Sequence, residues 1–210
     1  HAGMLPFQNS VLPPTDLRVN AIEMADGGDG VFGPNDQFLF YASGPQRWNL
    51  EGNRFVHTKN VFCDSAHYFI GIDVEPPVRV VLATVSDASP THTVTTFQDR
   101  QFIERDLTNL LKSGRTWFGE VFDVTTTYSY PFNVPNVITT DSAHVRVVGA
   151  ARTIGSANYS YFDVQGAGMP TAHFGVRGVP PSYSSTYGQH FDTVLGLMPS
   201  TNPITFTVSF

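Results

Sequence analysis

The sequence predicts an all-β chain built of two β-rich, sandwich-like modules joined by one short helix near residues 102–112. Three observations carry this expectation. Apolar and polar residues alternate over short runs such as HYFIGID (67–73) and ITFTVSF (204–210), which is the period of a half-buried strand. Eighteen glycines and 15 prolines punctuate the chain and divide it into strand-length pieces. Only QFIERDLTNLLKSGR carries its apolar residues at helical spacing.

Taken in order, VNAIEM (19–24) and DQFLFYA (36–42) read as a hairpin with a long loop. HYFIGID and VRVVLATVS (78–86) read as a second pair across Val74-Glu75-Pro76-Pro77, because the two prolines cannot donate to a strand ladder. In the exceptional segment, Phe102, Ile103, Leu107, Leu110 and Leu111 recur at spacings of one, three and four, a stripe along one helix face. Lys112 suits the negative C-terminal end of that helix, and Gly114 can take the left-handed cap. Leu107, Leu110 and Leu111 are then expected to be buried between the modules. EVFDVTTTYSY (120–130), AHVRVVGAAR (143–152), NYSYFDV (158–164) and ITFTVSF complete the predicted strands. The expected organisation is an N-terminal β module over 1–100, a helical connector over 101–114 and a C-terminal β-sandwich module over 115–210. ITFTVSF stops in mid-alternation with no turn after it. The second module is therefore expected to be truncated, with a neighbouring strand missing and an edge left open.

At 210 residues the chain can bury a proper core, and its 41% hydrophobic and 13% aromatic content argues against disorder. Charged residues make up only 14%, against the ~25% usual for soluble domains. The net charge of -6, without a cluster of Lys or Arg, excludes a phosphate-neutralising nucleic-acid surface. No apolar run approaches the ~20 residues that span a bilayer as a helix. The N-terminal HAGMLPFQNS lacks a basic region followed by an apolar stretch, so an exported protein would be represented here by a mature or excised piece. Cys63 is the only cysteine, which excludes an internal disulfide and a thiolate metal cluster.

Several motifs occur in one order: GMLP (3–6), DGVF with ND (29–36), FLFYASGPQRW (38–48), HTKN (57–60), DSAHYFI (64–70), DLTNLLKSGRTWFGE (106–120) and YPFNVPN (130–136). Together they resemble the region that precedes the peptidase domain in the PorU family, the surface sortases of the type IX secretion system in Bacteroidetes. The likeness runs from about residue 3 to about residue 140. It implies a gingipain-type cysteine peptidase domain C-terminal to this region, which removes C-terminal sorting domains from cargo and attaches the cargo at the cell surface. It also implies that the nucleophile and its histidine lie in that later domain, so no catalytic residue carries over to this chain. The expected role is a non-catalytic β module that scaffolds the peptidase domain of the same chain. Outer-membrane secretion components and cargo sorting domains are the expected further partners. The expected location is the cell surface, associated with the outer membrane. Asp64-Ser65-Ala66, Asp141-Ser142-Ala143 and Asp192-Thr193-Val194 resemble the O-glycosylation sequon of exported Bacteroidetes proteins, in keeping with that location.

The residues themselves offer few sites. Cys63 and His67 could pair as nucleophile and base. Four residues along a strand place them roughly 13 Å apart, however, and an ordinary thiol is the better reading. His57, Cys63 and His67 have neither the number nor the spacing of a structural zinc set. G-x-S-x-G and G-x-x-x-x-G-K-[ST] have no match, and no cofactor is expected. In DGGDGVFGPND, Asp29 and Asp36 are weak calcium candidates. Gly28 and Gly30 stand where an EF-hand loop beginning at Asp26 needs side-chain oxygens, so the stretch reads chiefly as a tight turn. Tyr128, Tyr130, Phe132, Tyr159, Tyr161 and Phe162 could line a sugar-binding face. For the three on one strand, Tyr128, Tyr130 and Phe132, core packing is preferred. The segment 178–187 reads as an exposed loop whose Tyr183 and Tyr187 are the candidate binding residues. They define the alternative function, a carbohydrate-binding β-sandwich module of a secreted protein.

Overall fold

The computed structural model describes residues 16–72, 76–84, 88–166 and 168–210. The GMLP motif, Asp73 at the end of HYFIGID and residues 85–86 of VRVVLATVS lie outside the described residues. The chain is all-β, and its contacts divide it into two compact units between Phe97 and Gln98.

In the first unit, β1 (Ile22–Ala25) and β2 (Gln37–Phe40) pair antiparallel from Ile22 opposite Phe40 to Ala25 opposite Gln37. This is the hairpin that the alternating runs predict around the acidic loop. A second hairpin joins β3 (Arg47–Glu51) to β4 (Arg54–Thr58), with Gly52 and Asn53 as its two turn residues. Gly52 has φ of 64°, the positive value that such a two-residue connection demands. VRVVLATVS does not form the expected ladder with HYFIGID. Its described residues instead make a parallel bridge between Arg79 and Ile22, in which Ile22 N–H donates to Val78 O and Val80 N–H donates to Ile22 O, each at 3.0 Å.

The second unit holds β5 (Thr127–Phe132), β6 (Ala143–Ala151), β7 (Tyr159–Gly166), β8 (Met169–Arg177), β9 (Gln189–Leu197) and β10 (Ile204–Ser209). An antiparallel sheet in the order β5-β10-β7-β8 and a β6-β9 pair bury their apolar residues together, a sandwich-like arrangement. Phe162, Val164, Val176 and Val208 meet Val147, Phe191 and Leu195 of the second sheet. Toward the other end, Ile204 and Phe206 meet Ala143 and Val145. Stacked Phe174 and Phe191, 5.1 Å between centroids, bridge β8 and β9.

Two further expectations are corrected here. Among the described residues there is no helix, and the segment predicted as a connector over 102–112 is irregular. Thr108 and Phe118 exchange both backbone hydrogen bonds, at 2.9 and 2.8 Å, and Leu107 N–H also donates to Phe118 O. Leu107 is exposed, and Leu110 and Leu111 are only half-buried. An isolated helix of about 11 residues is marginal in water, so bonds offered by the rest of the fold decide the outcome. Lys112 and Gly114 take positive φ, 52° and 71°, within a turn of this loop rather than as a helix cap. The second correction concerns ITFTVSF. It is not left with an open edge, because β10 lies between β5 and β7 and pairs with both. Ile204, Phe206 and Val208 are buried, while Thr205, Thr207 and Ser209 alternate on the other face.

Candidate functional site

The Asp26–Asp36 loop satisfies its aspartates internally. Asp26 Oδ1 accepts from Gly28 N–H at 3.0 Å and Asp29 Oδ1 from Val31 N–H at 2.9 Å. Asp36 Oδ2 accepts from Gly33 N–H at 2.5 Å, while Gly33 O accepts from Asp36 N–H. Gly27, Gly28 and Gly30 all have positive φ, which L side chains rarely adopt. The carboxylates thus act as turn acceptors. Among the described residues, no three His, Cys, Asp or Glu side chains converge as a metal set.

Cys63 Sγ–H donates to Ser65 O at 2.8 Å. His57 packs on Trp48, directly opposite it in the β3–β4 ladder, with centroids 5.0 Å apart. This is a cross-strand ring pair of the kind that stabilises a two-stranded ladder.

The two tyrosines singled out on the 178–187 loop have different surroundings. Ser182 and Ser185 tie the loop to itself, with Ser185 Oγ–H donating to Ser182 O and Pro180 O. Tyr183 is fully exposed at its tip. Tyr187 is half-buried, and its ring is already occupied: Lys112 Nζ lies 4.2 Å and Arg152 Cζ 4.0 Å from the ring centre. Arg152 Nε–H also donates to Tyr187 O at 3.1 Å. The ring fastens the 108–118 loop to the sandwich.

A second polar chain runs from Arg105 through Glu120 to Tyr130. Glu120 accepts from Arg105 Nη1 and from Tyr130 O–H, both at 2.9 Å. Burial and the hydrogen bond to Glu120 push the Tyr130 phenol well above its ordinary value of 10.0.

The outer face of the four-stranded sheet carries a more open arrangement. Tyr159 and Tyr161 on β7 stand next but one to each other, 47% and 62% exposed, with ring centroids 6.0 Å apart and planes inclined by 26°. Gly175 of β8 lies directly opposite Tyr161. A β-carbon there would stand 3.3 Å from ring atoms of both tyrosines, so the glycine gives both rings room to lean across onto β8. One rung further, Asp163 faces His173, with Oδ1 and Nδ1 2.5 Å apart. Strand alternation puts Tyr159 and Tyr161 opposite to Phe162 in direction. The glycine beneath them depends on register and could not be read from the sequence.

Comparison with protein-family models, with curated proteins and with solved structures gives no match.

Proposed function

We propose that this chain is a non-catalytic β module of a PorU-like type IX secretion sortase, and that it scaffolds the gingipain-type peptidase domain of the same protein at the outer-membrane surface. Support comes from the ordered motifs and from one feature of the first unit. Among the described residues between 69 and 97, many apolar side chains lie open, from Ile72 at 81% and Phe97 at 85% to Val81 at 86% and Leu82 at 91%. Stand-alone proteins rarely leave so many large apolar side chains open in one segment, whereas a module built to be covered by another domain does. The NLLKSGRTWFGE motif has a matching role. Lys112 clamps Tyr187 and Glu120 holds Tyr130, so these residues brace the second unit rather than form a reaction centre.

The test has two parts. The reading frame beyond Phe210 should encode a gingipain-type peptidase domain, and that domain, produced separately, should co-elute with this chain on gel filtration. A frame that ends or enters an unrelated domain overturns the reading, and so does a peptidase domain that elutes alone.

A further inference from the structure

We propose that the outer face of the β7–β8 strand pair, centred on Tyr159 and Tyr161, is a binding platform for the pyranose rings of a glycan. The site belongs to the second unit alone and does not rest on the sortase reading. A half-exposed tyrosine on a strand is ordinary. Two near-parallel rings leaning together over a glycine are less so, because the smallest residue stands where a β-branched partner would otherwise fill the pleat.

The neighbours indicate the class of ligand. From Thr171 to Arg177 the outward positions of β8 are Thr171, His173, Gly175 and Arg177, and those of β7 beyond the tyrosines are Asp163 and Gln165. None is aliphatic. A protein-binding hot spot seats its aromatic anchor in a well-packed pocket ringed by contacts that exclude water, whereas these tyrosines stand on an open strand face with polar neighbours. Stacking nucleobases would bring phosphates, for which a chain of net charge -6 supplies no basic track. Arg177 is also turned to the backbone, its Nε–H donating to Ser156 O at 2.7 Å. A pyranose fits both halves of the site. Its C–H-bearing face is weakly positive and meets the electron-rich face of an aromatic ring. Its rim of hydroxyls requires both donors and acceptors, which Asp163, His173 and Gln165 provide.

The full chain would be run on native affinity gels containing a mixed-linkage β-glucan, a xylan, a galactomannan or a pullulan, and titrated by NMR with hexasaccharides of whichever polymer retards it. At least one polysaccharide should slow the wild type. Tyr159→Ala and Tyr161→Ala should each weaken binding about tenfold or more, as truncation of an aromatic anchor does. Tyr161→Phe, which keeps the ring face, should bind within about threefold of the wild type, and its unchanged melting temperature would show that the fold is intact. Gly175→Val, which pushes against both rings, should bind like the alanine variants. Failure of all four polysaccharides overturns the proposal. So does binding that survives Tyr159→Ala with Tyr161→Ala, or a loss of self-association in those variants with no change in glycan binding.

Discussion

The ammonium of Lys112 sits 4.2 Å from the centre of the Tyr187 ring, joining a loop residue of positive φ to the strand-side loop that precedes β9. Arg152 lies against the same ring at 4.0 Å. Each such contact contributes about 0.5–1 kcal/mol where it is exposed and more where it is dry. Tyr187→Ala should therefore lower stability by about 1–3 kcal/mol, whereas Tyr187→Phe, which keeps the π face, should cost less than about half of that. Urea denaturation midpoints decide the matter. Equal losses for the two variants would show that the hydroxyl, and not the ring, holds the loop.

Tyr130 donates its O–H to Glu120, and both this bond and burial favour the neutral phenol. A raised folded-state pKa gives stability that is complete below the unfolded value of 10.0 and is lost as pH rises above it. The wild type should lose stability from about pH 10 upward. Tyr130→Phe should be less stable than the wild type at pH 7 by about 1 kcal/mol, the net worth of one hydrogen bond. Its own stability should fall less steeply above pH 10. Chemical denaturation at pH 7, 9, 10 and 11 tests this, and parallel curves for the two proteins would refute it.

Arg146 holds Asp192 in a two-point ion pair across β6 and β9, Nε to Oδ1 at 2.7 Å and Nη2 to Oδ2 at 2.5 Å. The Arg146 hydrogen bonds lower the Asp192 pKa. The sign is opposite to that of Tyr130: this stability is present above the ordinary carboxylate range and is lost as pH falls through it. Both side chains are two-fifths or more exposed, so the contribution should stay below about 1 kcal/mol. Asp192→Asn should cost no more than that at pH 7, and the difference should shrink as pH falls through the carboxylate range. A larger loss would mean that the pair is better shielded than its exposure indicates.

Leu107 and Phe162 stand at opposite extremes of burial, 61% and 4% exposed. Leu107→Ala should change stability by no more than about 0.5 kcal/mol, whereas Phe162→Ala should cost about 3–5 kcal/mol. A cost of about 2 kcal/mol or more at Leu107 would restore the buried helical stripe that the sequence suggests.

Asp36 and Gly33 close the acidic loop by two reciprocal hydrogen bonds. Asp36→Asn keeps an acceptor and should be nearly neutral, while Asp36→Ala should cost about 1 kcal/mol. Calcium at 1 mM should leave the melting temperature unchanged. A site of about 1 μM affinity would add ~4 kcal/mol, so a shift of several degrees would assign the loop to an ion.

The sequence by itself determined that the chain is all-β, and it placed most of the strands. Period-2 runs such as ITFTVSF carry that information locally, because each residue's face follows from its parity along the strand. The strands β8 and β9 were less legible. MPTAHFGVR sets only the small Ala172 with Phe174 and Val176 on its inner face and Gly175 on its outer one, and QHFDTVLGL puts Thr193 inward and Val194 outward, so the alternation is diluted in both. The hairpin at Gly52-Asn53 did leave a signal, a glycine-asparagine pair between short runs.

Tertiary structure alone decided the rest. DLTNLLKSGR has the spacing of a helix, yet Thr108 bonds to Phe118 instead, because a short helix gains less from its own ladder than from bonds to the fold. The last strand reads as an edge in one dimension and lies in mid-sheet in three. Tyr187 reads as a free ring until two cations from distant segments converge on it. Gly175 acquires its meaning only from the register that sets it opposite Tyr161. Parity along a strand is a local property of the chain, whereas register, strand order and long-range ring contacts depend on which distant segments meet.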